Sequence, residues 1–274
     1  MGPIEGLFAL ALATALPLGL RIAASEGGLP DGPVVRWLVA ASGGLAAISF
    51  AFARGPIALA MSIPWISVVA VVATAALSRV LVAVRRRRWS GLLGPIGIGA
   101  ALSFLSVGCA WLVFDRVGLH PFGYSPTIVL LTATHFHVAG FLLTLAGVLA
   151  ASRGRRETGF ATALLVVGMP MTAAGFLGSA IVGWVGSIVV AIAGVAIGWA
   201  ILREAGSGRG PATRRPLRLA GATLFVTMPL AAAYSTGTTF DIPTIDIPAM
   251  AAIHGGLNVI GFAIPAMVGW TLEP

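Results

Sequence analysis

Apolar residues along this chain do not alternate with the two-residue period of a strand, nor do they mark one face of a surface helix. They run on, in stretches of about 20 separated by short polar punctuation. Nine such stretches predict helices at about 4–24, 34–53, 57–80, 91–114, 126–151, 158–179, 182–202, 217–235 and 248–270. At a rise of about 1.5 Å per residue each crosses a hydrocarbon layer of about 30 Å. The expected fold is therefore all-α, a polytopic transmembrane helix bundle forming one integral membrane domain over residues 1–274. Prolines 17, 64, 170 and 229 fall inside these spans, which neighbouring helices make tolerable by satisfying freed carbonyls. Small residues such as Gly43, Gly44, Gly140, Gly255, Gly256 and Gly261 suit close helix packing.

Composition sharpens this picture. Of 274 residues 58% are hydrophobic and only 9% charged, against about 25% charged in a soluble domain, so the expected location is the cell membrane. The 17 basic residues are all arginine and outnumber nine acids. They sit between apolar runs, which reads as topology information and contact with anionic headgroups rather than as a nucleic-acid surface. Clusters at Arg85 to Arg88, at Arg153, Arg155 and Arg156, and at Arg203, Arg209, Arg214, Arg215 and Arg218 are each two spans apart. All three then share one side, the cytoplasmic one by the positive-inside rule. The N-terminus is expected outside, the C-terminus inside, and Arg54 breaks the pattern. The acid at Glu5 and the long first run read as a retained span rather than a cleaved leader. The lone cysteine, Cys109, reads as a packing residue. No repeat with a period of 20 to 50 residues stands out, nor an inverted one.

This topology collects the polar side chains on the outer side. Glu5 starts the first span; Asp115, Arg116, His120 and Tyr124 form the fourth loop; Tyr234, Thr236, Thr238, Thr239, Asp241 and Asp246 precede the last span. Two histidine groups carry the polar set into the membrane, where ionisable residues are functional candidates by default. In Thr132-Ala-Thr134-His135-Phe136-His137 the histidines are two apart, about 200° on a regular helix, so they cannot chelate one metal from one face. Each shares a face with a threonine, Thr132 with His135 and Thr134 with His137. In His254-Gly-Gly-Leu-Asn258 the histidine and asparagine stack at a four-residue spacing.

The Leu131–Phe141 segment, the opening Ile4-Glu5-Gly-Leu-Phe with Pro17-Leu18, and the closing His254-Gly-Gly-Leu-Asn258-Val-Ile-Gly261-Phe262 together resemble the YndJ-like family of bacterial multi-pass membrane proteins. The resemblance implies shared architecture and the importance of Glu5, His135, His137, His254 and Asn258; it implies no particular reaction. More locally, His135-Phe136-His137 resembles the helix of haem–copper oxidase subunit I in which two histidines serve different haems. The further histidine cluster of that family is missing here.

The leading functional expectation is a membrane enzyme performing acid–base chemistry on a lipid-like, isoprenoid-class substrate in the outer half of the bundle, by analogy with integral membrane terpene cyclases. It needs no metal or other cofactor. An acid in low dielectric can stay protonated and serve as a donor; Glu5 is the candidate, with Asp115, Asp241 and Asp246 as rivals. His135, His137, His254 and Asn258 would position it and accept the final proton. Thr132, Thr134, Phe136, Phe141, Trp111, Asp115, Tyr234, Asp241, Asp246 and Phe262 are candidate substrate contacts, with Phe136, Phe141, Phe262 and Trp111 facing a developing cation. No nucleotide loop, aspartate-rich prenyl-diphosphate motif or Gly-x-Ser-x-Gly elbow is present. The alternatives are a haem or metal protein using the three intramembrane histidines, and a proton-coupled transporter. The expected partners are the lipid-like substrate and membrane lipids; the oligomeric state is open.

Overall fold

In a computed structural model the described residues are 1–26, 32–85, 93–152, 156–207 and 210–272. Arg86 to Arg88, Arg153, Arg155 and Arg209, cited above as orientation signals, lie outside them. Every regular element among the described residues is helical. Among the described residues nine helices are long and apolar enough to cross a membrane: α1 (Pro3–Glu26), α2 (Pro33–Ala51), α3 (Pro56–Val82), α4 (Gly94–Val117), α5 (Pro126–Ala151), α6 (Glu157–Gly175), α7 (Ala180–Ala205), α8 (Pro211–Thr239) and α9 (Ile247–Thr271). The predicted spans match all nine. The largest difference is α8, which extends beyond the expected 217–235 at both ends. Its arginines lowered the apparent apolar length, yet a helix can carry arginines past the hydrocarbon edge, where their side chains reach the headgroups.

The helices group into two compact units, Met1–Leu145 and Ala146–Pro274. In the first, consecutive helices pack side by side from α1 to α5, and α1 also touches α3, α4 and α5. That central position explains why Phe8, Leu12, Leu16 and Leu20 of α1 are all fully buried. α1 is broken at Thr14, whose φ and ψ of −131° and −84° leave the helical region. The cause is Pro17, which has no N–H to donate and crowds the preceding turn. The Thr14 hydroxyl answers the disturbance by donating to the Leu10 carbonyl at 2.6 Å. α2 fits this break with a glycine: a Cβ on Gly43 would collide with the Leu12 carbonyl and the Pro17 ring.

In the second unit α6 to α9 pack in sequence. The α6–α7 seam is made of glycines; a Cβ on Gly175 would come within 2.7 Å of the Gly183 Cα. Such backbone approach gives dispersion contact where lipid offers no hydrophobic drive. Both units end in an irregular helix. α5 is π-helical over Phe136–Leu143, and α9 over Ala251–Gly255 and Leu257–Ala263. These stretches coincide with the histidine motifs. π-Turns are rare and often accompany function.

Candidate functional site

The polar end of the first unit is an ion-pair cluster rather than an open pocket. Asp115, at the end of α4, is 1% exposed. Its Oδ1 accepts from Arg54 Nε at 3.2 Å and from the same guanidinium's terminal nitrogen at 3.0 Å. Its Oδ2 accepts from Arg116, through Nε at 2.8 Å and a second nitrogen. Arg116 is equally buried; it donates to the Ser49 carbonyl at 3.1 Å and lies 3.9 Å above the Phe50 ring, a cation–π contact. Glu5 joins at the edge, its Oε1 4.0 Å from Arg54. Its Oε2 accepts the Gly2 N–H at 2.7 Å, capping α1. Arg54 was not a candidate from the sequence, although its break with the charge pattern was the signal. A cation paired with Asp115 and Glu5 is a poor topology signal.

From this cluster a line of rings leads inward. Phe50 meets Phe8 edge-on at 5.5 Å, and Phe8 meets His137 edge-on at 4.9 Å. His137 is fully buried. Its Nδ1 donates to the Ala133 carbonyl at 2.8 Å, and its Nε2 accepts from Trp65 Nε1 at 3.2 Å. Since the tryptophan only donates, the ring is fixed as its Nδ1–H tautomer. Cys109 Sγ lies 3.9 Å from Nε2, and a Cβ on Gly108 would strike Nδ1 at 2.5 Å. Both ring nitrogens are engaged and packing closes the space around them. Trp65, Phe8 and Phe50 were not candidates; a tryptophan in an apolar run carries no sign that it will meet a histidine 72 residues away.

His135 is placed differently. It is exposed on α5, with Nδ1 donating to the Leu131 carbonyl at 2.8 Å, which leaves Nε2 as the outward acceptor. The accompanying threonines turn back on the helix: Thr132 bonds to the Ile128 carbonyl and Thr134 to the Leu130 carbonyl. Phe136 packs on Phe104 at 6.1 Å, while Phe141 is fully buried. Trp111 lies against Phe114 and Tyr124 at 5.8 and 6.2 Å. Ser125 caps α5 by accepting the Ile128 N–H.

In the second unit His254 Nδ1 donates to the Thr227 carbonyl of α8 at 3.1 Å. Asn258 Nδ2 donates to the His254 carbonyl at 2.8 Å, so the expected stacking is present, as a side-chain-to-backbone bond. Thr227 itself is fully buried, and its hydroxyl has no hydrogen-bond partner among the described residues. Thr223 donates to the Gly261 carbonyl at 3.0 Å, and Phe262 is buried. Asp246 caps α9 through the Ala249 N–H at 2.8 Å. Asp241 occupies a left-handed turn at φ 55°, and the Tyr234 carbonyl accepts from Thr238. Among the described residues no three of His, Cys, Asp and Glu come together as a metal-holding group.

The sequence candidates thus separate by what they touch. Glu5, Asp115 and Asp246 serve helix caps and ion pairs, His137 is closed into a core, and His135 faces outward. No solved structure matches this chain. Over 175 residues, 63% of its length, it is 27% identical to the uncharacterized membrane protein YndJ of Bacillus subtilis (strain 168). That stretch is 32% of the relative, so the chain aligns with about a third of its length. The family model described as YndJ-like protein matches residues 6–262; the chain belongs to the YndJ-like family of multi-pass membrane proteins.

Proposed function

We propose that this multi-pass membrane protein handles a lipid-like substrate of the isoprenoid class, with His135 as the acid–base group that meets it. One observation carries the reading: within an apolar span, the imidazole is exposed, with Nδ1 tied to Leu131 and Nε2 turned outward. An unpaired acceptor in hydrocarbon costs about 2 kcal/mol or more. It is therefore matched to a donor arriving through the bilayer, such as the hydroxyl of an amphiphile, whose proton Nε2 would take as a general base.

The same geometry bears on a cyclase-type protonation. Protonating an alkene or epoxide requires an acid beside it, and Glu5 and Asp115 are bonded to a helix end and to arginines. We accordingly place the chemistry at the base, His135, and give Glu5 a structural role. His254, half-buried beside Thr227, remains the candidate of the second unit.

The test is purification in mild detergent followed by native mass spectrometry of retained lipids, on wild type, His135→Ala and His135→Phe. Retention of an isoprenoid or related hydroxylated lipid by wild type and its loss in both variants is the expected result. Identical lipid profiles in all three would reject the assignment. An absorption spectrum of the same samples addresses a second reading, because Nδ1 held by a carbonyl with Nε2 outward is also how a haem- or metal-ligating histidine is presented. A Soret band lost in His135→Ala would establish that reading instead.

A further inference from the structure

The helix pair α8–α9 echoes α4–α5 at one constant spacing of 121 residues. Pro95 corresponds to Pro216, Ala101 to Ala222, Phe104 to Phe225, Ser106 to Thr227 and Ala110 to Ala231. Without any change of spacing, Val138 then corresponds to Val259, Gly140 to Gly261 and Phe141 to Phe262. The local structure keeps the same register. Ser125 and Asp246 are the N-caps of α5 and α9, accepting from Ile128 and Ala249. A π-helical stretch begins at Phe136 in α5 and at Leu257 in α9, which carries an earlier one over Ala251–Gly255 that α5 does not repeat. Gly140 and Gly261 each pack tightly against the preceding helix, where a Cβ would fall within 2.9 and 2.7 Å, on Phe104 and on Thr223, the latter two positions before the counterpart of Phe104.

At the second position of each stretch stand His137 and Asn258. Both are buried. Both send a side-chain N–H four residues back, to the carbonyls of Ala133 and His254, at 2.8 Å in each case. Histidine and asparagine share little beyond a planar group with a donor and an acceptor two bonds apart. A common acid–base role is therefore excluded, since the amide of asparagine does not titrate between the pH limits of a living cell.

We infer that α8–α9 repeats α4–α5 as a duplicated helix pair, and that His137 and Asn258 hold one inherited scaffold position, fastening the start of a π-helical stretch to the turn before it. The histidines that do not repeat are the exceptions: His135 corresponds to Gly256, and His254 to Ala133. Each copy has added its own imidazole at a different place on a shared frame. This agrees with His135 as the working group, but the scaffold assignment stands without that reading.

The repeat makes the two scaffold side chains interchangeable. Full-length His137→Asn and Asn258→His proteins are compared with His137→Leu and Asn258→Leu by thermal unfolding in detergent. His137→Asn and Asn258→His are expected to melt within about 3 °C of wild type, and each leucine variant at least about 6 °C lower, the shift expected for losing a buried hydrogen bond and stranding its partner. If His137→Leu yields no folded protein, the Asn258 pair gives the same comparison. His137→Asn melting as low as His137→Leu, or Asn258→Leu melting like wild type, would overturn the inference. Neither outcome depends on a bound lipid, so failure here is separable from failure of the His135 proposal.

Discussion

Asp115 shows how much one carboxylate can organise. Both of its oxygens are filled by guanidinium groups, one from Arg116 beside it and one from Arg54, 61 residues earlier. Replacement by asparagine keeps the size but leaves the buried Arg116 without its counter-charge and Arg54 with Glu5 alone, a loss of about 3 to 5 kcal/mol. We expect Asp115→Asn to unfold well below wild type in a thermal scan. Arg54→Met should cost less, about 1 kcal/mol, because Arg54 is 35% exposed and partly served by solvent. Equal losses from the two variants would contradict this hierarchy. A second change tests the inner end of the ring line: Trp65→Phe keeps an aromatic group but removes the donor to His137 Nε2 and half of a fully buried indole, for an expected loss of about 2 to 3 kcal/mol.

At this scale the sequence was legible in kind but not in role. Three histidines in apolar spans announced themselves, yet spacing could not say that His137 would be enclosed by Phe8, Trp65 and Cys109 while His135 turned outward. Those neighbours come from α1, α3 and α4, and no local pattern connects them. Glu5 is ambiguous for the opposite reason. An acid three residues after Gly2 is as good a helix cap as a catalytic group, and only its partners separate the two.

Among the elements, span positions were readable because burying about 20 apolar residues in lipid dominates every weaker preference. The departures from regular helix were less visible. The break in α1 needs both Pro17 and a neighbour shaped to receive it, and Gly43 of α2 is that neighbour. Gly43→Leu is expected to abolish folded protein, as judged by a monodisperse elution profile, because the contact is with a backbone carbonyl that cannot move aside. Gly44→Leu, where a Cβ would meet nothing within 4 Å, should elute like wild type and controls for added bulk. The π-helical stretches left no periodic signature at all. Their shared mark is a four-residue pattern, valine, any residue, glycine and phenylalanine, which lies inside a π-helical stretch in both α5 and α9.

For the molecule as a whole, the arginine clusters give an expected orientation with the N-terminus outside and the C-terminus inside. Reporter fusions active only in the cytoplasm should report after Arg85 and after Arg203, and stay silent in the α4–α5 loop. The reverse pattern would show that loop charge misleads here. Arg54 no longer argues against the expected orientation, since Asp115 and Glu5 neutralise it.

The same ion pair also imposes an order in time. Arg54 leaves the ribosome 61 residues before Asp115, which at 5 to 20 residues per second is a delay of about 3 to 12 s. Throughout that interval the loop after α2 carries a cation whose principal partner has not been made. The first three helices therefore enter the bilayer before this contact exists, and the arrival of α4 ties down a side chain synthesised long before it.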